Sequence, residues 1–258
     1  MSYIVANNLV KEYGEGETMV SAIDGINFQI EEGEFVGIMG ESGAGKSTLL
    51  GIMGAMNAPT SGSLIVDDID IYSLSQEQRA DFRREFLGFV FQSFHLVPYL
   101  TVIENIMLPL AIVTAGKKKK RAMAEAAMNQ VGLSGKAHRL PSQISGGEKE
   151  RVAIARAIVN EPPVLLADEP TGNLDTKTSH DIMELLHRLN NEGMTIVIVT
   201  HSPDCAGYAR RIIRVTDGKL VDDNFKLRSL KRWLKKEKSK EPSPNQNQVL
   251  VAGSLPTG

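Results

Sequence analysis

The chain has one cysteine and almost no net charge, and each shortage excludes a class of protein. A single cysteine, Cys205, among 258 residues excludes a disulfide framework and a metal cluster built from several cysteines, and it is typical of a reducing cytosol. The formal net charge of −2 provides no global basic field. We therefore expect no nucleic-acid partner.

Long hydrophobic runs are also missing. The longest candidates, residues 164–167 and 194–200, have the length of strands, whereas a helix that crosses a bilayer needs about 20 apolar residues. The first residues, MSYIVANNLVKEYG, do not join a basic region to an apolar stretch, so we expect no signal peptide. The sequence therefore predicts a cytoplasmic chain without a membrane span.

The sequence does carry the pattern of a large α/β domain. Segments rich in β-branched and apolar residues predict eight strands, and segments with helical periodicity predict seven helices. The predicted strands are 4–10, 22–30, 35–39, 63–66, 87–91, 164–167, 195–200 and 211–215. The predicted helices are 47–56, 76–85, 102–110, 118–131, 148–159, 178–190 and 203–209.

The spacing of these segments predicts the fold. Glycines and short turns join the early strands, which favours an antiparallel β subdomain, whereas helices separate the later strands, which favours a parallel core sheet. Between residues 91 and 164 the pattern gives about three helices and no strand. We therefore assign residues 1–225 to one α/β domain, with a helical subdomain inserted at about 93–160.

Two segments are strongly basic. Residues 226–240, KLRSLKRWLKKEKSK, carry eight Lys or Arg against one Glu, with leucines at helical spacing. Residues 226–258 are either a solvated, disordered tail or a basic amphipathic segment that contacts anionic lipid or a membrane partner. The run KKKKR at 117–121 begins a predicted helix against its dipole, and we interpret it as a solvated surface.

A phosphate-binding loop follows the predicted strand 35–39. The stretch GESGAGKS matches G-x-x-x-x-G-K-[ST] and begins a predicted helix, which is the context that this motif requires. Backbone N–H groups would surround phosphates, the Lys46 amine would reach the β- and γ-phosphates, and the Ser47 hydroxyl would bind Mg²⁺. We expect the Glu41 side chain to point away from the phosphates. The predicted nucleotide-binding residues here are Gly40, Glu41, Ser42, Gly43, Ala44, Gly45, Lys46, Ser47 and Thr48.

Polar residues also follow the other core strands. Asp168 and Glu169 end an apolar strand; Asp168 suits Mg²⁺, and we expect Glu169 to point elsewhere and to polarise an attacking water. We expect His201 to contact the γ-phosphate and Gln92 to bind Mg²⁺ or the water, because ligands of open α/β sheets bind at this edge. Lys46, Gln92, Glu169 and His201 are thus the predicted catalytic group, and Ser47, Gln92 and Asp168 the predicted metal ligands.

A second anion site is predicted at residues 144–148, ISGGE, directly before a helical run. A Ser-x-x-Glu capping box accounts for Ser145 and Glu148 but not for Gly146 and Gly147, which weaken the start of a helix. Close approach of the backbone to a phosphate accounts for both glycines. We therefore expect the stretch to face the nucleotide of another subunit.

In combination, these residues resemble the motifs of the ATPase subunit of an ABC transporter, over about residues 4–221. The residues that carry the resemblance are Lys46, Gln92, Ser145, Gly146, Gly147, Asp168, Glu169, Asp175 and His201. The resemblance implies that Tyr13 stacks on adenine and that Asp175 communicates across a dimer. ISGGE is similar to the LSGGQ signature, from which Ile144 and Glu148 depart.

The resemblance is strongest to the group of lipoprotein-release and macrolide-export ATPases. It implies a P-loop ABC ATPase fold and a dimer of identical chains around two ATP and Mg²⁺. It also implies an integral-membrane permease as partner and a peripheral location on the cytoplasmic face of the plasma (inner) membrane. The substrate would be of lipoprotein, macrolide or peptide type, exported or extracted from the membrane.

Three other functions share some of these motifs. A soluble ABC ATPase that acts on DNA or the ribosome usually has long insertions or tandem domains, which this sequence lacks. A mechanotransmitter that regulates a cell-wall enzyme without moving a substrate stays open. A small GTPase is disfavoured because the sequence has no N-K-x-D motif.

Overall fold

The computed structural model describes residues 2–223, so the basic segment 226–258 lies outside the described residues. The strands are β1 (Ser2–Tyr13), β2 (Val20–Glu31), β3 (Phe35–Met39), β4 (Ser61–Val66), β5 (Ile69–Asp70), β6 (Leu87–Val90), β7 (Val164–Asp168), β8 (Thr195–Thr200), β9 (Arg211–Thr216) and β10 (Lys219–Asp223). The helices are α1 (Lys46–Met53), α2 (Gln76–Phe86), α3 (Val102–Met107), α4 (Lys117–Gln130), α5 (Gly146–Ile158), α6 (Thr176–Asn191) and α7 (Pro203–Ala206).

A six-stranded sheet forms the centre of the domain, in the order β10-β9-β3-β8-β7-β6. Five of these strands are parallel, and β10 is antiparallel to β9. Successive residues of β7 face two separate cores, since Leu165 and Ala167 lie in one buried cluster and Val164 and Leu166 in the other. A strand covered on both faces needs apolar residues throughout, which explains the continuous run VLLA.

The second sheet is antiparallel, in the order β2-β1-β4-β5. Ile4 in β1 pairs with Ile30 on one side and with Val66 on the other. The buried side chains of this sheet share one hydrophobic cluster with α1 and with one face of the central sheet. The predicted antiparallel subdomain and the predicted parallel core sheet are both observed, and the predicted fold class is confirmed.

Three α-helices, α3, α4 and α5, lie between β6 and β7, and they pack with α6 on the other face of the central sheet. Thr101 and Ser145 cap α3 and α5 with reciprocal hydrogen bonds of the capping-box type. None of the helices within residues 2–223 is long and apolar enough to cross a membrane.

Helices α1, α3 and α7 end about three residues before their predicted ends, and two short strands were not predicted. Helix α3 ends at Met107 rather than near residue 110, and a 3₁₀ turn at Leu108–Ile112 follows it, because Pro109 has no N–H with which to continue the α-helical pattern. The short strands β5 and β10 were not predicted. The sequence of β10, KLVDD, is polar and pairs on one side only, so it lacks the alternation that marks a half-buried strand.

Candidate active site

The predicted site residues follow strands whose ends meet at one edge of the central sheet. Met39, the last residue of β3, pairs with Thr200, the last residue of β8. Asp168 at the end of β7 pairs with Val199, and Val90 at the end of β6 pairs with Ala167. The four segments that follow these strands therefore emerge side by side.

These segments surround a cleft of about 490 Å³. It is lined by Ser42, Gly43, Gly45, Lys46, Ser47, Gln92, Glu169 and His201, all of which are predicted site residues. The predicted residues Tyr13, Gly40, Glu41, Ala44, Thr48, Asp168 and Asp175 do not line it. Eight residues from four stretches of sequence thus converge on one space.

The loop between β3 and α1 is fixed in position by its glycines. A Cβ on Gly45, where φ is +94°, would lie 2.1 Å from the carbonyl oxygen of Ala22, and one on Gly40 would lie 2.2 Å from that of Val215. Gly43 has φ +81° and no atom near its would-be Cβ. Packing against β2 and β9 therefore requires Gly40 and Gly45, whereas backbone conformation alone requires Gly43.

The Lys46 amine is held inside this loop. Its Nζ donates a hydrogen bond of 2.7 Å to the carbonyl oxygen of Glu41, and only 6% of the residue is exposed. Glu41 is exposed and does not line the cleft. The positive charge of Lys46 thus lies against the backbone of the loop between β3 and α1.

The Ser47 hydroxyl donates a hydrogen bond of 3.2 Å to Oδ1 of Asp168. Burial raises the pKa of Asp168, and the hydrogen bond from Ser47 and the charge of Lys46 oppose that rise. A hydroxyl and a carboxylate, joined by a hydrogen bond beside a cleft that Gln92 also lines, are hard oxygen donors of the kind that Mg²⁺ takes together with phosphate oxygens and water. The residues present therefore fit the predicted cation, although residues 2–223 contain no cluster of three or more His, Cys, Asp or Glu that could hold a metal alone.

Glu169 and His201 form a pair at the mouth of the cleft. Glu169 has φ +48°, an uncommon conformation for a non-glycine residue, which turns it away from the direction of β7. Nδ1–H of His201 donates to its carboxylate over 2.5 Å. The Glu169 side chain is 14% exposed, whereas that of His201 is 65% exposed.

The turn that carries Gln92 is held by two residues that sequence analysis missed. Nδ2 of Asn173 donates to the Gln92 carbonyl over 2.8 Å. The Arg156 guanidinium, from α5, donates to the carbonyls of Phe94 and His95 over 2.6 Å each, and both of these residues have positive φ. Asn173 lies two residues before the predicted Asp175, but no pattern in the sequence identifies either Asn173 or Arg156.

Helix α5 also buries a carboxylate. Glu150 is 1% exposed, and its Oε1 has no hydrogen-bond partner among the described residues. Burial raises the pKa of Glu150 to about 8, and the positive charge of Arg156 opposes the rise. Near neutral pH the folded chain therefore keeps this side chain protonated.

The stretch ISGGE forms the start of α5. The Glu148 carboxylate accepts from the Ser145 N–H over 2.8 Å, the Glu148 N–H donates to the Ser145 hydroxyl over 3.3 Å, and Lys136 lies 3.1 Å from the carboxylate. The Ser145 N–H, followed by Lys136, lowers the pKa of Glu148 despite partial burial. The two residues thus form the capping box that the sequence allowed.

The glycines of this stretch have different surroundings. A Cβ on Gly147 would lie 2.4 Å from Cγ2 of Thr178 in α6, whereas one on Gly146 would lie 3.4 Å from Leu174. Helix packing within the chain therefore already accounts for Gly147, and phosphate approach stays a prediction for both glycines. Ser145 and Gly146 are exposed, and no residue of the stretch lines the cleft around Lys46.

Asp175 and Tyr13 lie outside the cleft. Asp175 caps α6 by accepting hydrogen bonds from the N–H and the hydroxyl of Thr178 over 3.0 and 2.6 Å, and these bonds lower its pKa. Tyr13, at the end of β1, is half-exposed, with the Lys11 amine 5.1 Å from its ring centroid. It pairs with Val20, two residues before the Ala22 carbonyl that packs on Gly45. The backbone of Tyr13 therefore lies beside the part of β2 that packs on the phosphate loop.

Residues 23–172 match the family described as ABC transporter. The lipoprotein-releasing system ATP-binding protein LolD of Geobacter metallireducens is 46% identical over 223 residues, which cover 86% of this chain and 99% of that protein. The macrolide export ATP-binding/permease protein MacB of Rhodopirellula baltica is 43% identical over 218 residues, which cover 83% of this chain and 32% of that protein.

Solved structures show the same similarity. A dimeric structure of the ATP-binding cassette MJ0796, in a post-hydrolysis state bound to ADP and Pi, superimposes with a TM-score of 0.80 and 42% sequence identity. The superposition covers 87% of this chain and 98% of the MJ0796 chain. The protein of that name comes from Methanocaldococcus jannaschii.

Proposed function

The chain belongs to the ABC transporter family as an ATP-hydrolysing subunit, and we propose that two identical chains enclose two ATP molecules and drive a permease in the membrane. One observation carries the proposal. One cleft at the edge of a parallel sheet is lined by Lys46, Ser47 and the paired residues Glu169 and His201. Asp168 lies beside the cleft and accepts a hydrogen bond from Ser47, and these two oxygens suit Mg²⁺. This is the arrangement that phosphoryl transfer to water requires.

The reaction is an in-line displacement. The water oxygen bonds to the γ-phosphorus as the bond from phosphorus to the bridging oxygen breaks, and ADP and phosphate are released. The Glu169 carboxylate accepts the hydrogen bond of the water and its proton, while His201 holds that carboxylate through its Nδ1–H. Lys46 exchanges its hydrogen bond to the Glu41 carbonyl for one to phosphate oxygen, so its charge stabilises the transferring group.

Ser47, Asp168 and Gln92 would hold Mg²⁺ beside the phosphates. The bound ion would neutralise phosphate oxygens and so favour attack by water. The hydrogen bond from the Ser47 hydroxyl to the Asp168 carboxylate keeps both oxygens beside each other, available to the same ligand.

The dimer is supported by the exposed stretch ISGGE. Ser145 and Gly146 offer a hydroxyl and a backbone N–H at the start of α5, yet they lie outside the lining of the cleft in their own chain. A related cassette forms a dimer with ADP and Pi. We propose that Ser145 and the amides of Gly146 and Gly147 contact the nucleotide of the partner chain, beside Asp175, and that Tyr13 stacks on the adenine of its own chain.

A groove beside the helical insertion, about residues 93–160 of the domain 1–225, supports a permease partner. A groove of about 300 Å³ separates the insertion from β6 and α2, and its lining includes Leu87, Phe89, Pro109 and Ile112. A relative named as an ATP-binding/permease protein contains a segment 43% identical to this chain within a longer polypeptide. We propose that the groove receives a cytoplasmic segment of the permease at the plasma (inner) membrane, for export or extraction of a lipoprotein, macrolide or peptide.

The variant Glu169→Gln tests the proposal. We expect it to bind ATP with unchanged affinity and to elute as a dimer in ATP, because the amide keeps the shape of the side chain. We expect its ATP turnover to fall about 100-fold or more, because the amide cannot take a proton from water. Turnover is measured as phosphate release, and affinity by equilibrium binding.

Glu161→Gln is the matched control, because Glu161 is an exposed residue between α5 and β7. It should hydrolyse ATP at the wild-type rate. Wild-type turnover by Glu169→Gln would contradict the role of Glu169, and a monomer in ATP would contradict the enclosed dimer.

A further inference from the structure

The start of α4 carries four consecutive lysines, Lys117 to Lys120, directly after Gly116. Positive charges at this end of a helix oppose its dipole, so the run costs local stability. Capping does not offset the cost, since Gly116 contributes no side chain and the first turn contains no acidic residue. The protein therefore maintains an unfavourable local arrangement on its surface.

The first three amines are not neutralised within the described chain. Lys117, Lys118 and Lys119 are exposed, and their side-chain amines form no hydrogen bond or ion pair with any residue from 2 to 223. Lys120 differs, because its Nζ donates to the carbonyl of Ala111 over 3.1 Å. Arg121 also differs, because it pairs with Glu125 at 2.9 Å. Three unpaired charges are left at the tip of the helix.

The geometry of these three residues suits a plane rather than a pocket. Consecutive residues of a helix point about 100° apart, so the three side chains spread around the axis instead of lining one face. The positive end of the dipole lies at their centre and adds to their attraction for anions. We call Lys117, Lys118 and Lys119 together the basic crown.

Apolar side chains lie beside the basic crown. The bond from Lys120 to Ala111 holds the start of α4 against the 3₁₀ turn Leu108–Ile112. Within this turn Leu108 is 41% exposed and Ile112 is 66% exposed. Ile112 also lines the groove proposed above for the permease. The surface is therefore basic and apolar, and it is continuous with the proposed permease groove.

We propose that the basic crown and Ile112 rest on the anionic phosphate headgroups of the membrane that contains the permease. The inference rests on the proposed function, in which the groove binds a membrane-embedded partner. A bilayer surrounds any such partner, so the surface beside the groove approaches headgroups. Exposed lysines extend their charge to phosphates on flexible stems, and a single aliphatic side chain beside them enters the interface.

An anionic surface explains these features better than an acidic peptide. An acidic peptide would bind to side chains on one face of a helix or in a groove. The three lysines lie neither on one helix face nor in a groove. A lipid surface needs only a high density of unpaired positive charge, worth about 1 kcal/mol for each lysine near the surface. The cost of the run against the dipole is then offset when the protein is on the membrane.

The test is binding of the full chain to vesicles in a sedimentation assay. Phosphatidylcholine vesicles with phosphatidylglycerol are compared with vesicles of phosphatidylcholine alone. The variant Lys117→Gln/Lys118→Gln/Lys119→Gln should bind the anionic vesicles about 100-fold more weakly than wild type, which is three lysines at about 1 kcal/mol each converted at about 1.4 kcal/mol per tenfold. Added salt should narrow this difference, because it screens exposed charges.

The control Lys177→Gln/Arg210→Gln/Lys219→Gln removes the same charge from exposed residues of other elements. It should bind the anionic vesicles like wild type, and segment 226–258 is common to every protein compared. The proposal would be overturned if the control variant lost as much vesicle binding as the lysine variant, or if the lysine variant bound anionic vesicles like wild type. It would also be overturned if wild type bound neutral and anionic vesicles equally. Binding restored by the permease in neutral lipid would overturn it as well, because that result would assign the basic crown to a protein partner.

The ATPase rate in solution separates this inference from the proposed function. The lysine variant should hydrolyse ATP at the wild-type rate without lipid, which also shows that it folds. If wild type itself failed to hydrolyse ATP, the proposed function would fail while the vesicle comparison still decided the role of the basic crown.

Discussion

At the scale of single residues, the buried carboxylate of Glu150 is the clearest departure from ordinary surface chemistry. A carboxyl removed from water is stable in its protonated form, and the raised pKa of about 8 expresses that preference. In the unfolded chain the same group titrates near its ordinary pKa of 4.5. Between these two values the folded chain holds a proton that the unfolded chain releases, so a rise in pH favours unfolding.

The variant Glu150→Gln should remove this pH dependence. Raising the pH from about 4.5 to about 8 should lower the unfolding free energy of wild type by about 1.4 kcal/mol per pH unit through this one group. The amide does not titrate, so the curve of the variant should be flatter across the same window. Denaturant unfolding followed by circular dichroism at several pH values measures both curves.

Glu161→Gln serves again as control, because an exposed carboxyl should leave the slope of wild type unchanged. Parallel curves for Glu150→Gln and wild type would show that Glu150 is ionised in the folded chain, and would contradict the inference from its burial. The sign is specific, since a carboxyl stabilised as an anion by a partner would give the opposite slope.

Residues of this site can be predicted when they directly follow a strand that the sequence pattern identifies. Lys46 and Glu169 follow recognisable strands, so their position at the sheet edge can be argued from the order of elements. Arg156 and Asn173 have no such signal, because their partners are backbone carbonyls 61 to 81 residues away. A carbonyl oxygen belongs to every residue and leaves no pattern in the sequence.

At the scale of elements, the contact between α5 and α6 depends on one glycine. Thr178 uses its hydroxyl and its N–H to bond Asp175, and this fixes its methyl group against Gly147. Thr178, which is hydrogen-bonded to Asp175, therefore positions the start of α5. Two stretches proposed to lie at the nucleotide of the partner chain are thus connected within each chain.

The variant Gly147→Ala should destabilise the chain by about 1–3 kcal/mol, because its methyl group would lie 2.4 Å from Cγ2 of Thr178. The double variant Gly147→Ala/Thr178→Ser should regain most of that stability. Serine lacks the methyl group but keeps the hydroxyl that bonds Asp175. Thermal unfolding of wild type, Thr178→Ser and both alanine variants measures the effect.

The ATPase rate of the double variant separates packing from phosphate approach. A rescued fold with wild-type turnover would show that Gly147 serves helix packing alone. A rescued fold with low turnover would show that a phosphate also needs the bare backbone at this position. If the double variant stayed as unstable as Gly147→Ala, the contact with Thr178 would not be the cause of the instability.

Element types follow from the sequence more completely than element ends. The covered strands β3, β7 and β8 are continuous apolar runs, which is what two buried faces require. The end of α3 was misplaced because the following 3₁₀ turn keeps helical spacing past Pro109. Strand β10 was missed because its pairing with β9, rather than its own composition, makes it a strand.

At the scale of the whole molecule, the proposed chemistry is divided between two chains. One chain alone brings Lys46, Ser47, Glu169 and His201 to a cleft, but Ser145 remains exposed outside it. Exposed hydrogen-bond donors at the start of α5 suit a phosphate, and the cleft of a second chain would supply one. The sequence indicated this division through its two anion sites, and the separation of the two sites in the fold now supports it.

Mixing two inactive variants tests the division. Lys46→Ala removes the charge in the cleft, and Ser145→Asp puts a negative charge where phosphate should approach while aspartate still caps α5. Each variant alone should be inactive. If Ser145 acts on the nucleotide of the partner, a mixed dimer has one site with both defects and one intact site. Random pairing makes half the dimers mixed, so mixing should restore up to about a quarter of the wild-type rate.

If Ser145 acted within its own chain, each site of a mixed dimer would carry one defect, and mixing would restore nothing. Ser75→Asp is the matched control, because Ser75 caps α2 with the same reciprocal bonds and lies away from the cleft. It should remain active alone, which separates the added charge from any effect on capping. Recovery of phosphate release on mixing Lys46→Ala with Ser145→Asp therefore measures whether the catalytic unit is one chain or two.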